Sequence, residues 1–189
     1  MNKIAVIDIE TTNFQGRGGL IVEVGIVSLD LDTGDVVEEF NSLVREEEFS
    51  EAHTEGTFGW VFKNSDLTYE DVDNALSFTK VSPLIQAVLD KFPLGVTAFN
   101  KRFDLNFLRD RGLIIPKELP CIMLTAKDPV NVLGKYGKPK WPKVTEAWAH
   151  FFPDTPYDEA HRGLDDAKHE AMITYKLYQL GLFTVGEEQ

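Results

Sequence analysis

Cysteine is almost missing from this sequence. Cys121 stands alone among 189 residues, which excludes an intramolecular disulfide and any cysteine-rich zinc site. Long apolar runs are missing too: none approaches the roughly 18 residues of a membrane span. The opening MNKIAVIDIE meets acids at Asp8 and Glu10, unlike the apolar core of a secretory leader. A soluble, cytoplasmic protein is expected. Bases are scarce, with 19 lysines and arginines against 31 acids and a net charge of -12. That balance argues against a protein that coats a nucleic-acid backbone, because such binding rests on cations displacing counterions. It leaves room for a small acidic site that holds divalent cations and meets phosphate through them.

What is present is ordinary for a globular chain, 43% hydrophobic and 26% charged. One domain is expected over residues 1–182, with a short C-terminal tail over 183–189. Charge is unevenly spread. From Asp30 to Glu51 nine acids face one base, Arg45, whereas Lys135 to Lys143 holds four lysines and no acid. Ile4 to Ile7 reads as a buried strand running into Asp8-Ile9-Glu10. A second strand is expected over 20–30, the turn Asp32-Thr33-Gly34-Asp35 follows, and 36–44 is its hairpin partner. Residues 50–79 lack a clean period and read as a long functional loop with short helices. The stripe Val81, Leu84, Ile85, Val88, Leu89 marks a helix over 80–92 with Pro83 in its first turn. A strand over 94–99, a helix over 103–111 stopped by Gly112, a short strand over 121–124, a loop over 129–142, and helices over 144–152 and 163–180 complete the order. The class is α/β, a mixed sheet flanked by helices.

Three short features carry chemistry. Asp8 and Glu10 are two apart on a strand, so both carboxylates share one face; an apolar strand bears them at a cost unless something neutralises them, or else the strand ends at Ile7 and both are solvated. Asp104, in Asn100-Lys101-Arg102-Phe103-Asp104, opens a helix that follows a strand, where open sheets place ligands and where an acid also suits the helix dipole. Asp165 and Asp166 begin the last helix, with His161 just ahead. Asp165 and His169 form an i, i+4 pair of zinc-holding spacing, but no third ligand stands nearby, and His169 reads as a solvated helix residue. His53 and His150 belong to no constellation.

Taken in order, the set resembles the DEDDh branch of the DnaQ-like 3′–5′ exonucleases. Asp8-Ile9-Glu10-Thr11 matches its first motif, Asn100 through Asp104 its second, and His161, Asp166 and Ala167 its third. The resemblance spans nearly the whole chain and implies an RNase H-like fold, a mixed five-stranded sheet flanked by helices. It implies two divalent cations, Mg2+ or Mn2+, held by Asp8, Glu10, Asp104 and Asp166, with Asp8 bridging them. His161 would take the proton from the attacking water, histidine being the side chain that ordinarily titrates nearest neutral pH. A tyrosine four residues before the last aspartate would mark the sister branch, and Arg162 holds that position. The departures are Phe99 where histidine is frequent, Asn13 where glycine is common and Gly163 where alanine is usual.

The resemblance also assigns Thr11 and Thr12 to the substrate, with an apolar wedge between the terminal bases from Phe14, or from Phe58 and Trp60, and Asn100 is a further candidate contact. Read from its own residues, the loop with Lys138, Lys140 and Trp141 can track phosphates and stack bases; the alternative is a solvated loop with Trp141 packed onto the core. The expected partners are 3′ ends of single-stranded DNA or RNA, DNA before RNA, and a DNA polymerase served in replication and proofreading. Competing readings are a catalytically idle RNase H-like module that binds nucleic acid or a polymerase, and an acidic interaction protein.

Overall fold

The computed structural model describes residues 2–186. Strand β1 (Lys3–Thr11) alternates two apolar sets: Ile4 and Val6 face one side of the sheet, Ala5, Ile7 and Ile9 the other. It pairs antiparallel with β2 (Ile21–Asp30), Lys3 opposite Asp30 and Glu10 opposite Glu23, and β2 pairs antiparallel with β3 (Val36–Arg45). The expected long loop holds two short helices, α1 (Trp60–Asn64) and α2 (Tyr69–Asp73), and a strand, β4 (Leu76–Ser77). Then follow α3 (Phe78–Leu89), β5 (Val96–Thr97), α4 (Lys101–Asp110), α5 (Ile122–Val130), α6 (Val144–Phe151) and α7 (Gly163–Gln179). The sheet order is β4-β3-β2-β1-β5, with β5 parallel to β1 and β4 parallel to β3.

Each face of the sheet has its own core. Val81, Ile85, Val88 and Leu89 of α3, with Leu105 and Leu108 of α4, cover Ala5, Ile7 and Ile9. On the other side Ile122, Ala147, Trp148, Ala167, Ala171 and Leu177 cover Ile4, Val6, Val27 and Leu29. A smaller cluster of Leu20, Val22, Phe49, Val61, Leu67 and Val72 seats α1 and α2.

The structure corrects several local expectations. Residues 121–124 open α5, with Cys121 as its N-cap; a short apolar run has no period that separates a strand from a buried helix face. The fifth strand is β4, two residues long. The expected strand over 94–99 pairs only at Val96–Thr97. Because the chain turns from β4 straight into α3, that helix starts at Phe78, and Pro83 falls in its second turn. The expected tail begins with a core residue: Phe183 is 1% exposed and donates its N–H to Leu177 O. The end of that tail, 187–189, lies outside the described residues. Among those described, no helix is long and apolar enough to cross a membrane.

One crossing positions everything that follows. Gly25 lies opposite Asp8 in the ladder, and the start of α7 presses onto it. A Cβ on Gly25 would stand 2.2 Å from the Gly163 carbonyl carbon and 2.3 Å from Leu164 N, backbone that cannot swing aside. Gly25→Ala is therefore expected to cost about 3 kcal/mol and lower the melting temperature by roughly 10 °C; a melt within about a degree of the unsubstituted chain would show that the crossing yields.

Candidate active site

Asp8 and Glu10 continue the Ile4/Val6 face of β1, the side on which α7 lies. The strand therefore carries its two carboxylates under the first turn of α7, where Asp166 sits. Ligand atoms of Glu10, His161 and Asp166 all lie within 4.8 Å of one another. Asp104 arrives from the edge of β1. The Ala5 amide bonds Gly95 O at 3.1 Å, so alternate amides of β1 point toward β5. By Ile9 that strand has ended, and the Ile9 amide donates to Asp104 Oδ1 at 3.3 Å. The shortness of β5 is what leaves an amide for Asp104.

Glu10, Asp104 and Asp166 are buried and Asp8 half-buried. Burial pushes Asp8 well above the ordinary carboxylate range, and the charges of Glu170, Asp104, Glu10 and Asp166 push it the same way. Burial likewise raises Glu10, with Asp166, Glu23, Glu159 and Asp104 adding to it. It lifts Asp104 to about 7 against the hydrogen bonds from its own and Ile9's amides. Asp166 is raised by burial, opposed by the Tyr157 hydroxyl and by His161. Asp8 Oδ2 is shut from solvent with no hydrogen-bond partner. A buried acceptor that no donor of the described residues reaches, inside a group of mutually repelling carboxylates, fits a cation. The donors are all hard oxygens with one imidazole beside them, a set suited to Mg2+ or Mn2+.

His161 occupies the left-handed region at φ 51, uncommon for a residue with a side chain. Its neighbour holds it there. Arg162 clamps the buried Glu23 of β2 through Nε at 2.9 Å and Nη2 at 3.1 Å, and gives Nη1 to Asp66 Oδ1 at 2.6 Å. The Gly163 amide adds a third donor to Glu23 at 3.2 Å. The Trp60 ring meets His161 edge-on at 4.6 Å, and Glu159 Oε1 lies 3.9 Å from its Nδ1.

Beside the carboxylates runs a cleft of about 580 Å³, lined by Glu10, Thr11, Thr12, Phe14, Trp60 and Phe103 among others. Phe14 is 63% exposed, its ring edge-on to Phe103 at 6.0 Å. Phe58 lies outside that lining, against His53. The Thr12 side chain turns into the fold, its hydroxyl accepting the Leu20 amide at 3.0 Å, while the Thr11 hydroxyl donates to Asn13 O at 3.0 Å. Asn100 is exposed at the N-cap of α4, outside the cleft lining. Lys138 lies on a hairpin-like loop closed by a bridge between Leu133 and Pro139, with Lys140 and Trp141 just beyond it and all three outside the cleft lining. Lys140 Nζ is paired with Glu146 at 2.6 Å, and Trp141 is 59% exposed rather than packed onto the core.

Asp165 and His169 remain a helix pair, Nδ1 to Oδ2 at 3.5 Å, outside the cluster of possible ligands. His169 is not solvated as expected: its ring stacks on Tyr157 at 3.7 Å and meets Trp148 edge-on at 4.6 Å. Sequence reasoning missed four groups around the site. Glu170 is buried one turn beyond Asp166 and accepts the Phe99 amide at 3.1 Å, tying α7 to the start of α4; its i, i+4 spacing from Asp166 was the available signal. Glu23 and the clamp of Arg162 required knowing the β1–β2 register. Tyr157, which donates to Asp166 Oδ1, had no sequence signal.

A family model described as Exonuclease (RNase_T) matches residues 5–174. Curated protein sequences give no match. Among solved structures, the chain is similar to a 3′-exonuclease in 3′-end-specific recognition of a histone mRNA stem-loop, with TM-score 0.70 and 21% identity over 100% of this chain and 87% of that one. It is similar to the nuclease domain of 3′hExo, a DEDDh family member bound to rAMP, with TM-score 0.65 and 21% identity over 100% and 98%. Cell-death related nuclease 4 (CRN-4) gives TM-score 0.67 and 14% identity over 96% of this chain and 65% of its own. The family match runs from β1 into α7 across all three motifs, and the chain belongs to the exonuclease family.

Proposed function

We propose that the chain hydrolyses phosphodiester bonds one nucleotide at a time from the 3′ end of single-stranded nucleic acid. The observation that carries this is the partnerless Asp8 Oδ2 among carboxylates that repel one another. Asp8, Glu10, Asp104 and Asp166 would hold two divalent cations, which supply positive charge to the phosphate and acidity to a water. The chain's own residues do the rest. His161 stands within reach of Glu10 and Asp166 and removes the proton of the attacking water. Arg162 and Glu23 keep it in that unfavourable backbone conformation.

The cleft takes the terminal nucleotide, Thr11 and Thr12 marking its acidic end. Phe14 and Trp60, both exposed and both in the lining, are suited to separate the last bases. Asn100 remains a proposed contact beyond the cleft. Farther out, Lys135, Lys138 and Trp141 guide the preceding strand, Lys140 sharing its charge with Glu146. Two of the structural neighbours are named for ribonucleotide ligands, a histone mRNA stem-loop and rAMP, so RNA belongs beside DNA, the substrate expected from the sequence, in any assay.

The test uses 5′-labelled single-stranded DNA and RNA of equal sequence, with Mg2+ or Mn2+ and then with chelator. A metal-dependent ladder shrinking from the 3′ end supports the proposal. Intact strands despite measurable metal binding overturn it in favour of an idle binding module. His161→Ala is expected to slow turnover about 10³-fold while Mn2+ binding, followed by calorimetry, stays close to that of the unsubstituted chain. Lost binding would make His161 a ligand instead of the base.

A further inference from the structure

Between α6 and α7 the chain approaches the site as an extended strap. Tyr157, Glu159 and His161 are half-buried while Asp158 and Ala160 are exposed, the period of two of an extended backbone. The strap therefore presents three side chains in a row to the carboxylates. His161 is accounted for by the proposed chemistry, and Glu159 lies 3.9 Å from it. Tyr157 reaches past both: its hydroxyl donates to Asp166 Oδ1. The ring is fixed from behind, stacked on His169 at 3.7 Å and tilted against Trp148 at 5.5 Å. Trp148 is anchored in turn, its Nε1 donating to Thr155 O at 2.6 Å. The other oxygen of Asp166 is held as well, Oδ2 accepting the Arg162 amide at 3.1 Å.

We infer that Tyr157 is a positioning residue for Asp166, which it aims at a bound divalent cation. The inference rests on the metal-site reading above. A carboxylate oxygen has two lone-pair directions. With one direction of each oxygen occupied by the Tyr157 hydroxyl and the Arg162 amide, the carboxylate cannot rotate and its free lone pairs keep a fixed aim toward Glu10 and Asp8. Losing a partner of this kind behind a metal ligand typically weakens metal binding or activity by roughly 10–100-fold. The aromatic stack gives the hydroxyl its rigidity, since neither ring behind it can move without disturbing the core of α6 and α7.

Tyr157→Phe keeps the stack and removes the hydroxyl. Calorimetric titration of the full chain with Mn2+ is expected to show about tenfold weaker binding, a metal-free melting temperature lowered by only a few degrees from the lost hydrogen bond, and turnover restored by excess Mn2+. Unchanged Mn2+ affinity would overturn the inference and leave the metal-site reading standing. A metal-free melting temperature lowered by more than about 15 °C, beyond what one hydrogen bond accounts for, would make Tyr157 a packing residue and also overturn it. No Mn2+ binding by the unsubstituted chain would overturn both.

Discussion

Asp104→Asn is expected to abolish cleavage and to make the metal-free chain melt higher. Both effects come from one cause. Asp104 is 4% exposed, and burial drives its carboxyl to about 7 despite two amide donors, so at pH 8 the folded chain holds a charge it would be better without. Asparagine keeps the shape and can still accept the Ile9 amide. Removing the charge should stabilise the metal-free fold by on the order of 3 kcal/mol, since a shift of one pKa unit corresponds to about 1.4 kcal/mol. Activity should fall at least ~10³-fold, about 4 kcal/mol of barrier, because a neutral amide is a poor partner for a divalent cation. Circular-dichroism melts with chelator, beside a nuclease assay, read both. A variant that melts lower and still cleaves would show that Asp104 serves the fold alone.

The second large effect concerns pH. Asp8, Glu10, Asp104, Asp166 and Glu170 all have carboxyls raised above their ordinary values, burial being the first cause in every case. A carboxyl that is raised on folding costs nothing below its unfolded value, where both states are protonated. The cost grows as pH climbs from there to the folded value and is complete above it. The metal-free chain should thus lose stability steadily between about pH 5 and pH 8. Glu118 and Glu146 behave oppositely: although partly desolvated, they are held low by hydrogen bonds from Lys101, Arg109 and Lys140. Their contribution disappears only as pH falls below the ordinary glutamate value, outside this window. Cations compete with protons for the same oxygens, so Mn2+ should raise the melting temperature far more at pH 8 than at pH 5.5. Equal shifts at the two pH values would mean that Mn2+ binds elsewhere.

How much of this could be read from the sequence follows from where each signal lives. Asp8 and Glu10 were legible because a strand repeats every two residues, and Asp166 because it opens a strongly periodic helix. Those local patterns singled out the acids and the histidine as candidates and gave the class of sheet, while only the family resemblance joined the candidates into one set. The β4 strand was illegible because two residues carry no period. Residues 121–124 misled because Cys121, Ile122, Met123 and Leu124 are apolar in succession, with no polar face to betray the helix. Tyr157 and Glu23 were invisible for a different reason. Their role exists only across the sheet and between elements, where Glu23 meets Arg162 over 139 positions of sequence.

The Gly25–Gly163 crossing joins these levels. It lets α7 lie close enough to β1 for Asp166 to meet Glu10, and it makes the site depend on two residues without side chains. The family resemblance places alanine at Gly163. A Cβ there would stand 3.0 Å from Gly25 N and 3.2 Å from Asp8 O, so that position is tight where Gly25 is closed.

Everything proposed for this chain depends on the buried carboxylates forming a site for two divalent cations. Calorimetric titration of the metal-stripped chain with Mn2+ at pH 8 tests it most directly. Two ions per chain are expected, displaced by Mg2+, with the stoichiometry reduced in Asp8→Ala. Binding of no ion, or undiminished binding in Asp8→Ala, would contradict it.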